Sequence, residues 1–288
     1  MGEQSTLLVS QAVGYIEENL DHKLGLDQVA EALYYSKFYL HRTFRKTAGL
    51  TLHAYIQRRK LTEAAKLLVF SEMPILDIAL LCGYESQQAF TEIFKAIYKR
   101  TPAKFRSAGM FYPLQLEFCI HQEREKKKYT KEDINFAAIS DIKAWMELVR
   151  LTVDGYPCMD ERSYLNSLQY YISHQRALLL REGNTVIGGM CYSPEKGGID
   201  FWAVHPQYRG RGIEEIFLSR LTEELSGERE ISLTTYRAGD QADTGYRETY
   251  FRLGFVEREL LVEYGYPTQR LVLSSKNREE TRNGANAK

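Results

Sequence analysis

The chain has 288 residues, 44% of them hydrophobic and 26% charged, which suits two domains and excludes collagen, a long coiled coil and wholesale disorder. No apolar run approaches the ~20 residues needed to span a bilayer, and the first residues (MGEQSTLLVS) lack the basic-then-apolar order of a secretion signal. Net charge is zero, yet residues 36–106 hold 13 Lys/Arg against 5 Asp/Glu, a net +8 that marks a surface meeting a polyanion.

Residues 1–35 carry a net −5 and residues 111–288 a net −3, so the basic excess is local. The four cysteines (Cys82, Cys119, Cys158, Cys191) form no CxxC pair. Neither a metal site nor a disulfide framework is expected, and a reducing cytoplasm fits best.

Residues 5–106 read as nearly all helix, with Pro74 the one proline before Pro102. From Leu52 to Phe70 the pattern predicts one long amphipathic helix, with Tyr55, Ile56, Leu61, Ala64, Ala65 and Leu68 on its apolar stripe. Two segments on either side of it resemble each other: VAEALYYSKFYLHRTFRK (29–46) and IALLCGYESQQAFTEIFKA (78–96). Ala30 matches Ala79, Tyr35 matches Tyr84, Ser36 matches Ser86, Leu40 matches Phe90 and Phe44 matches Phe94. A small residue, a tight turn and a Ser-started helix make the pattern of a helix-turn-helix, with Ser36 and Ser86 as N-caps and Gly83 in the turn.

The outward faces of the two second helices carry Lys37, Phe38, His41, Arg42 and Arg45, then Gln87, Gln88, Thr91 and Lys95. Arg pairs bidentately with guanine and Gln with adenine in the major groove, while nearby Lys and Arg hold phosphates. A solvated face without a partner is the rival reading for one such helix. Two in tandem, flanked by the basic excess, favour DNA.

Residues 26–106 resemble the DNA-binding domain of the AraC/XylS family, in particular the activators of multiple-antibiotic and superoxide resistance. SKFYLHRTFRK, AYIQRRKLTEAAKLL, PILDIALLCGYESQQAF and FKAIYKRTPAKFR carry the likeness. It implies seven helices, with two recognition helices entering successive major grooves about one helical turn apart. The family's base-reading positions fall on Phe38, His41, Arg42, Gln87 and Gln88. Two residues depart from the pattern. Glu92 stands where close relatives carry a basic contact; it repels phosphate but can accept from cytosine N4. Tyr34 stands where a turn glycine is common, a mild backbone penalty.

Beyond about residue 110 the texture changes. HQEREKKKYTKED (121–133) is charge-dense and reads as a linker or an exposed strand edge, and Glu123–Lys128 as a solvated run, with contact to DNA phosphates outside the operator core as its rival reading. Strand-like runs follow at 176–182, 185–193, 198–204, 231–236 and 270–275, with helical patterns at 211–225 and 243–253. This alternation predicts an α/β or α+β domain. The tail from Lys276 is expected to be disordered.

In GIDFWAVHPQYRGRGIEEIFLSRLTEEL the order is strand, glycine-bearing loop, helix. Arg209, Gly210, Arg211, Gly212 and Ile213 at a helix start would aim backbone N–H groups at an anion, and the arginines add charge. TGYRETYFRLGF (244–255) ends a helix at Gly254 and starts a strand at Phe255. VHPQYRGRGI and YFRLGF together resemble the GNAT superfamily of acyl-CoA N-acyltransferases over about residues 135–275. The resemblance implies a mixed sheet that splays open midway. Acetyl-CoA or a related acyl-CoA would lie in the splay, its diphosphate on residues 209–214 and its pantetheine arm along the backbone of Ala203 and Val204. It also places Tyr250 at the general acid that protonates the departing thiolate; a packed core tyrosine is the rival reading.

Asp200 is the candidate base, with an ion-paired strand-surface role as its rival; Asp160 and Glu161 are further candidates. His205, before Pro206, reads as a turn residue. Tyr156, Tyr170, Tyr171 and Tyr192 are candidates for an aromatic acceptor pocket or simply for packing, and Trp145 and Trp202 for core. Glu214 departs from the family's R-x-x-G-x-[GA] pattern. Its carboxylate suits the helix dipole but repels a diphosphate.

The expected organisation is a multidomain protein. An all-α tandem helix-turn-helix domain (1–108) is followed by a linker (109–134), an α+β GNAT-like mixed sheet (135–275) and a tail (276–288). The expected function is a DNA-binding transcriptional regulator whose second domain binds acetyl-CoA, a small amine or both. The rival is an N-acetyltransferase for a small amine that also regulates its own gene; a protein acetyltransferase delivered to promoters is a third. Promoter DNA is the expected partner, RNA polymerase a further one, and the protein acts as a monomer or homodimer.

Overall fold

The computed structural model describes residues 3–120, 127–225 and 230–274. The tail from Lys276 and residues 123–126 of the charged run lie outside the described residues. The chain divides into two compact units: Met1–Lys127 with Tyr156–Met159, and Lys128–Gly155 with Asp160–Lys288. No helix among the described residues is long and apolar enough to cross a membrane.

The first unit holds α1 (Glu3–Glu18), α2 (Leu26–Ala32), α3 (Lys37–Ala48), α4 (Leu52–Phe70), α5 (Ile75–Leu81), α6 (Gln87–Tyr98) and α7 (Pro102–Ala108). The side chains of Ser36 and Ser86 accept from the backbone N–H groups of Tyr39 and Ala89, so each repeat starts its second helix with the same cap. Leu40, Phe44, Phe90 and Phe94 are fully buried one turn apart. Gly83 has φ +77° in the second turn, and Tyr34 adopts φ +58° in the first, at the steric cost the side chain implies.

The basic excess is only partly a surface. Arg58, Arg59 and Lys60 are buried on α4. Arg59 pairs with Glu17 at 2.7 Å and Glu63 at 3.1 Å, and Lys60 donates to the His22 carbonyl at 2.6 Å. Arg106 donates to the carbonyls of Leu68 and Met73, closing the end of α4.

The first part of the expected linker is not loose. Leu114 and Gln115 donate their N–H groups to Thr62 and accept from Arg58 and Arg59. Phe118 stacks on Tyr55 with ring centroids 5.1 Å apart. Helical periodicity is absent there because these residues satisfy their backbone groups on α4 side chains.

The second unit runs β1 (Asn135–Phe136), α8 (Ile142–Leu151), α9 (Glu161–Ser173), β2 (Ala177–Glu182), β3 (Thr185–Ser193), β4 (Gly198–Val204), α10 (Ile213–Glu224), β5 (Ile231–Tyr236), α11 (Tyr246–Arg252), β6 (Val256–Glu263) and β7 (Tyr266–Leu273). The seven strands form one mixed sheet in the order β1-β2-β3-β4-β5-β7-β6. Helices cover both faces, so β2 and β3 read as nearly unbroken apolar runs. On β4, Phe201 packs against Trp145 and Tyr164 while its neighbour Trp202 stacks on Tyr250. All the strand pairs are antiparallel except β4–β5, which is parallel and makes a single pairing, Gly198 with Ser232. Beyond it β4 and β5 part, and the sheet is open at its centre.

Candidate functional site

The first candidate site is the pair of outward faces on α3 and α6. On α3, Lys37, Phe38, Arg42 and Arg45 are exposed and His41 is half-buried; Phe38 is 78% exposed, a high value for a phenyl ring. Lys37 lies 3.3 Å from Asp27. On α6, Gln87, Gln88, Glu92 and Lys95 are exposed and Thr91 is half-buried. Gln88 donates its amide N–H to the Glu92 carboxylate at 3.1 Å, so the departure at Glu92 is coupled to a residue expected to read bases. α3 presents cations and a ring; α6 presents amides and an acid.

In the second unit the site lies where β4 and β5 diverge. His205 N–H donates to the Ile187 carbonyl on β3 at 2.9 Å, and Ala203 pairs with Gly189. Backbone direction alternates along a strand, so Ala203 turns its polar groups towards β3. The groups facing the gap belong to Trp202 and Val204.

Past Val204 the chain enters the loop. Gly210 (φ +71°) and Gly212 (φ +79°) are both left-handed, and a side chain at either would be strained. Gly212 is the N-cap of α10, and Ile213 is buried beneath it. Arg211 lies over the Tyr208 ring, 4.7 Å from its centroid. Arg209 is turned inward. Its Nε donates to the Val204 carbonyl at 3.3 Å and Nη2 to the Tyr246 hydroxyl at 2.6 Å, with Asp154 at 3.8 Å. Glu214 sits in the first turn of α10, where burial pushes its carboxyl up and Arg209 and Arg252 pull it back.

Tyr250 is buried on α11, its ring stacked on Trp202 with centroids 5.8 Å apart. Burial pushes its phenol up, so it stays protonated at neutral pH. Asp200 does not join it. A register shift opposite Cys191 and Tyr192 gives β4 one extra residue. Asp200 accepts from Ser193 and bonds Tyr171 of α9, on the same side as Phe201. Asp160 caps α9 by accepting from Ser163 N–H, and Glu161 pairs with Arg150. Tyr170 is half exposed, and Tyr192 donates to the Gln175 carbonyl. His205 is buried, its Nδ1 accepting from Gln207 N–H.

Sequence reasoning missed Tyr246 and Asp154. Tyr246 lies one helical turn before Tyr250, a spacing that could have pointed to it. Asp154 is 55 residues upstream of the loop and carries no local signal. No group of His, Cys, Asp and Glu among the described residues is arranged to hold a metal ion. For an acyl-CoA the backbone fits: the sheet is open, and two left-handed glycines lead into a helix N-terminus.

Comparison with known proteins gives two family matches: the helix-turn-helix domain family at residues 29–108 and the acetyltransferase (GNAT) family at residues 145–255. The chain is 41% identical over 99 residues to the regulatory protein SoxS of Escherichia coli (strain K12), covering 34% of this chain and 92% of that one. It is 43% identical over 104 residues to the probable transcription factor PqrA of Proteus vulgaris, covering 35% and 85%. A solved GNAT-family acetyltransferase from Bacillus cereus ATCC 10987 is 18% identical, with a TM-score of 0.38 over 49% of this chain and 95% of that one.

Proposed function

Since the chain belongs to the AraC-type helix-turn-helix regulators and carries a GNAT acetyltransferase domain, we propose that it is a sequence-specific, promoter-binding regulator whose second unit binds an acyl-CoA as effector. The observation that carries the DNA half is the pair of exposed, capped recognition helices on one repeated scaffold. Arg42 and Gln88 would read base edges, and Lys37, Arg45 and Lys95 would hold phosphates. RNA polymerase is the partner an activator of this kind would meet.

Acetyl-CoA or a relative would lie between β4 and β5. The N–H groups of residues 211–214 would hold its diphosphate, and the gap-facing backbone of Trp202 and Val204 would flank its arm. Bound there, it supplies an activated acyl group. A small amine is the second ligand this reading allows. Gel-shift titration of a promoter fragment against random duplex, with calorimetry of acetyl-CoA, tests both halves. Equal affinity for the two duplexes would end the operator reading, and no heat with acetyl-CoA would end the effector reading.

A second reading, an N-acetyltransferase acting on a small amine, is favoured by one observation: a buried, neutral Tyr250 stacked on Trp202 of β4. Tyr250 would hold a proton for the departing sulfur. No carboxylate among the predicted bases stands beside it, so the effector reading is preferred. Acyl transfer that falls on Tyr250→Phe would reverse that preference.

A further inference from the structure

A phosphate loop with two arginines is expected to offer both charges to an anion. The surroundings of Arg209 argue otherwise. Its side chain is 20% exposed and bridges three elements. The Val204 carbonyl at the end of β4 accepts from Nε, and the Tyr246 hydroxyl at the start of α11 accepts from Nη2. The Tyr246 ring also lies under the guanidinium, 4.9 Å from its centroid. Behind Tyr246 sits Asp154, 2% exposed, in the turn Val153–Gly155. Its Oδ1 accepts from Tyr246 at 3.3 Å, its Oδ2 from Thr244, and its backbone carbonyl from the Tyr236 hydroxyl at the end of β5 at 2.7 Å.

The same turn is fitted to Tyr246 sterically. A Cβ on Gly155 would lie 2.6 Å from the Tyr246 ring, so the close approach admits only glycine. The network therefore ties the end of β4, the end of β5 and the start of α11 together at the open centre of the sheet.

We infer that Asp154 is a positioning residue of the phosphate loop, which acts through Tyr246 to hold Arg209 as a strut, and that the diphosphate is left to the loop's backbone N–H groups and Arg211. The balance of effects favours a strut over a swinging ligand. Freeing Arg209 would leave a deeply buried carboxylate without its cation, a large penalty. The gain, one more solvent-screened arginine–phosphate contact, is small. The second role also follows from position: with the Val204 carbonyl already accepting from Arg209, the strut fixes the lip of the gap as well as the loop. The binding arm of the test rests on the acyl-CoA reading given above; the exchange arm does not.

The sign of one substitution separates strut from charge. Asp154→Asn removes a negative charge close to the loop, so electrostatics alone would strengthen acetyl-CoA binding. A strut predicts the reverse: binding about tenfold weaker in Asp154→Asn and in Tyr246→Phe, the loss of one charged or neutral hydrogen bond. In the full-length protein without ligand, amide exchange of residues 205–213 should quicken by about tenfold in both variants, while Arg211→Ala weakens binding and leaves exchange unchanged. The double variant Asp154→Asn/Arg209→Gln should bind no worse than Arg209→Gln alone, because Asp154 acts through Arg209.

Tighter binding in Asp154→Asn, fully additive losses in the double variant, or unchanged exchange would overturn the inference. If Asp154→Asn does not fold, Tyr246→Phe, which keeps the ring against Gly155, decides it. If the wild-type protein gives no heat with acetyl-CoA, the effector reading fails and the exchange arm still decides the strut.

Discussion

In the helical unit, Arg42 and Arg45 stand in solvent on α3, while Arg59, from the same basic stretch, is buried against Glu17 and Glu63. In the glycine loop before α10 the same division occurs within three residues: Arg211 lies outside over Tyr208, and Arg209 is drawn inside by Tyr246 and Asp154. The neighbours decide the outcome. A guanidinium goes inside where a buried carboxylate waits with further acceptors around it, and stays outside elsewhere. The net +8 of residues 36–106 therefore overstates what DNA meets, since Arg58, Arg59, Lys60 and Arg106 all donate to groups of the protein itself.

The largest expected effect breaks the inside class. Arg59→Ala leaves Glu17, only 15% exposed, without its cation and should destabilise the helical unit by about 3 kcal/mol. Arg45→Ala, from the outside class, should stay within about 0.5 kcal/mol. Urea denaturation of the two variants measures both. Equal losses would mean that burial does not separate the two arginines.

Next in size is the outside class read on DNA. Replacing Arg42 and Gln88 together by Ala should remove discrimination between promoter and random duplex, at about 1–3 kcal/mol for each good base contact. Acetyl-CoA binding should be untouched. Loss of both functions together would count against two separable activities.

These contrasts also mark what the sequence could and could not reveal. The repeat of Ser36 and Ser86 and the spacing of Leu40, Phe44, Phe90 and Phe94 are local patterns, so the tandem helices were legible. So was the glycine loop, because its strand, turn and helix are consecutive. Asp200 was misleading: one extra residue in β4 turns it towards Tyr171, and that bulge is fixed by the pairing with β3 rather than by the residues of β4 alone. Residues 110–120 looked like linker because their partners, Arg58, Arg59 and Thr62, lie some 50 residues back on α4. Asp154 and Tyr246 meet only when the sheet closes over a distance of 92 residues in the chain.

A smaller effect concerns the acid that opposes Arg211. Burial raises the Glu214 carboxyl above its ordinary range, so the neutral form is favoured more in the folded protein than in the unfolded chain. Its contribution to stability is then fully present below the ordinary carboxylate range and lost as pH rises through the raised value. For ligand binding the same sign applies: as pH falls from neutrality, repulsion of a diphosphate fades and acetyl-CoA affinity should rise. Glu214→Gln should bind about tenfold tighter at neutral pH and flatten that rise. Calorimetry across pH reads both, and a rise that persists in Glu214→Gln would assign it to another group.

The smallest expected effect lies on α6. Gln88 and Glu92 form an exposed pair one turn apart, worth about 0.2–0.5 kcal/mol to the helix. Its consequence for recognition is larger than its energy. Bidentate reading of adenine needs the Gln amide N–H for N7 and the carbonyl for N6–H. With one of its two N–H groups given to Glu92, Gln88 keeps the second N–H and its carbonyl, their direction is set by Glu92, and the added carboxylate favours the amino groups of cytosine and adenine. Glu92→Ala should leave stability within about 0.5 kcal/mol and strengthen binding to random duplex, because a charge facing phosphates is gone. In selection from randomised duplexes, the base preference under α6 should relax while that under α3 holds. An unchanged preference under α6 would mean that Gln88 reads its base without regard to Glu92, and the acidic departure would then serve only to weaken phosphate contact.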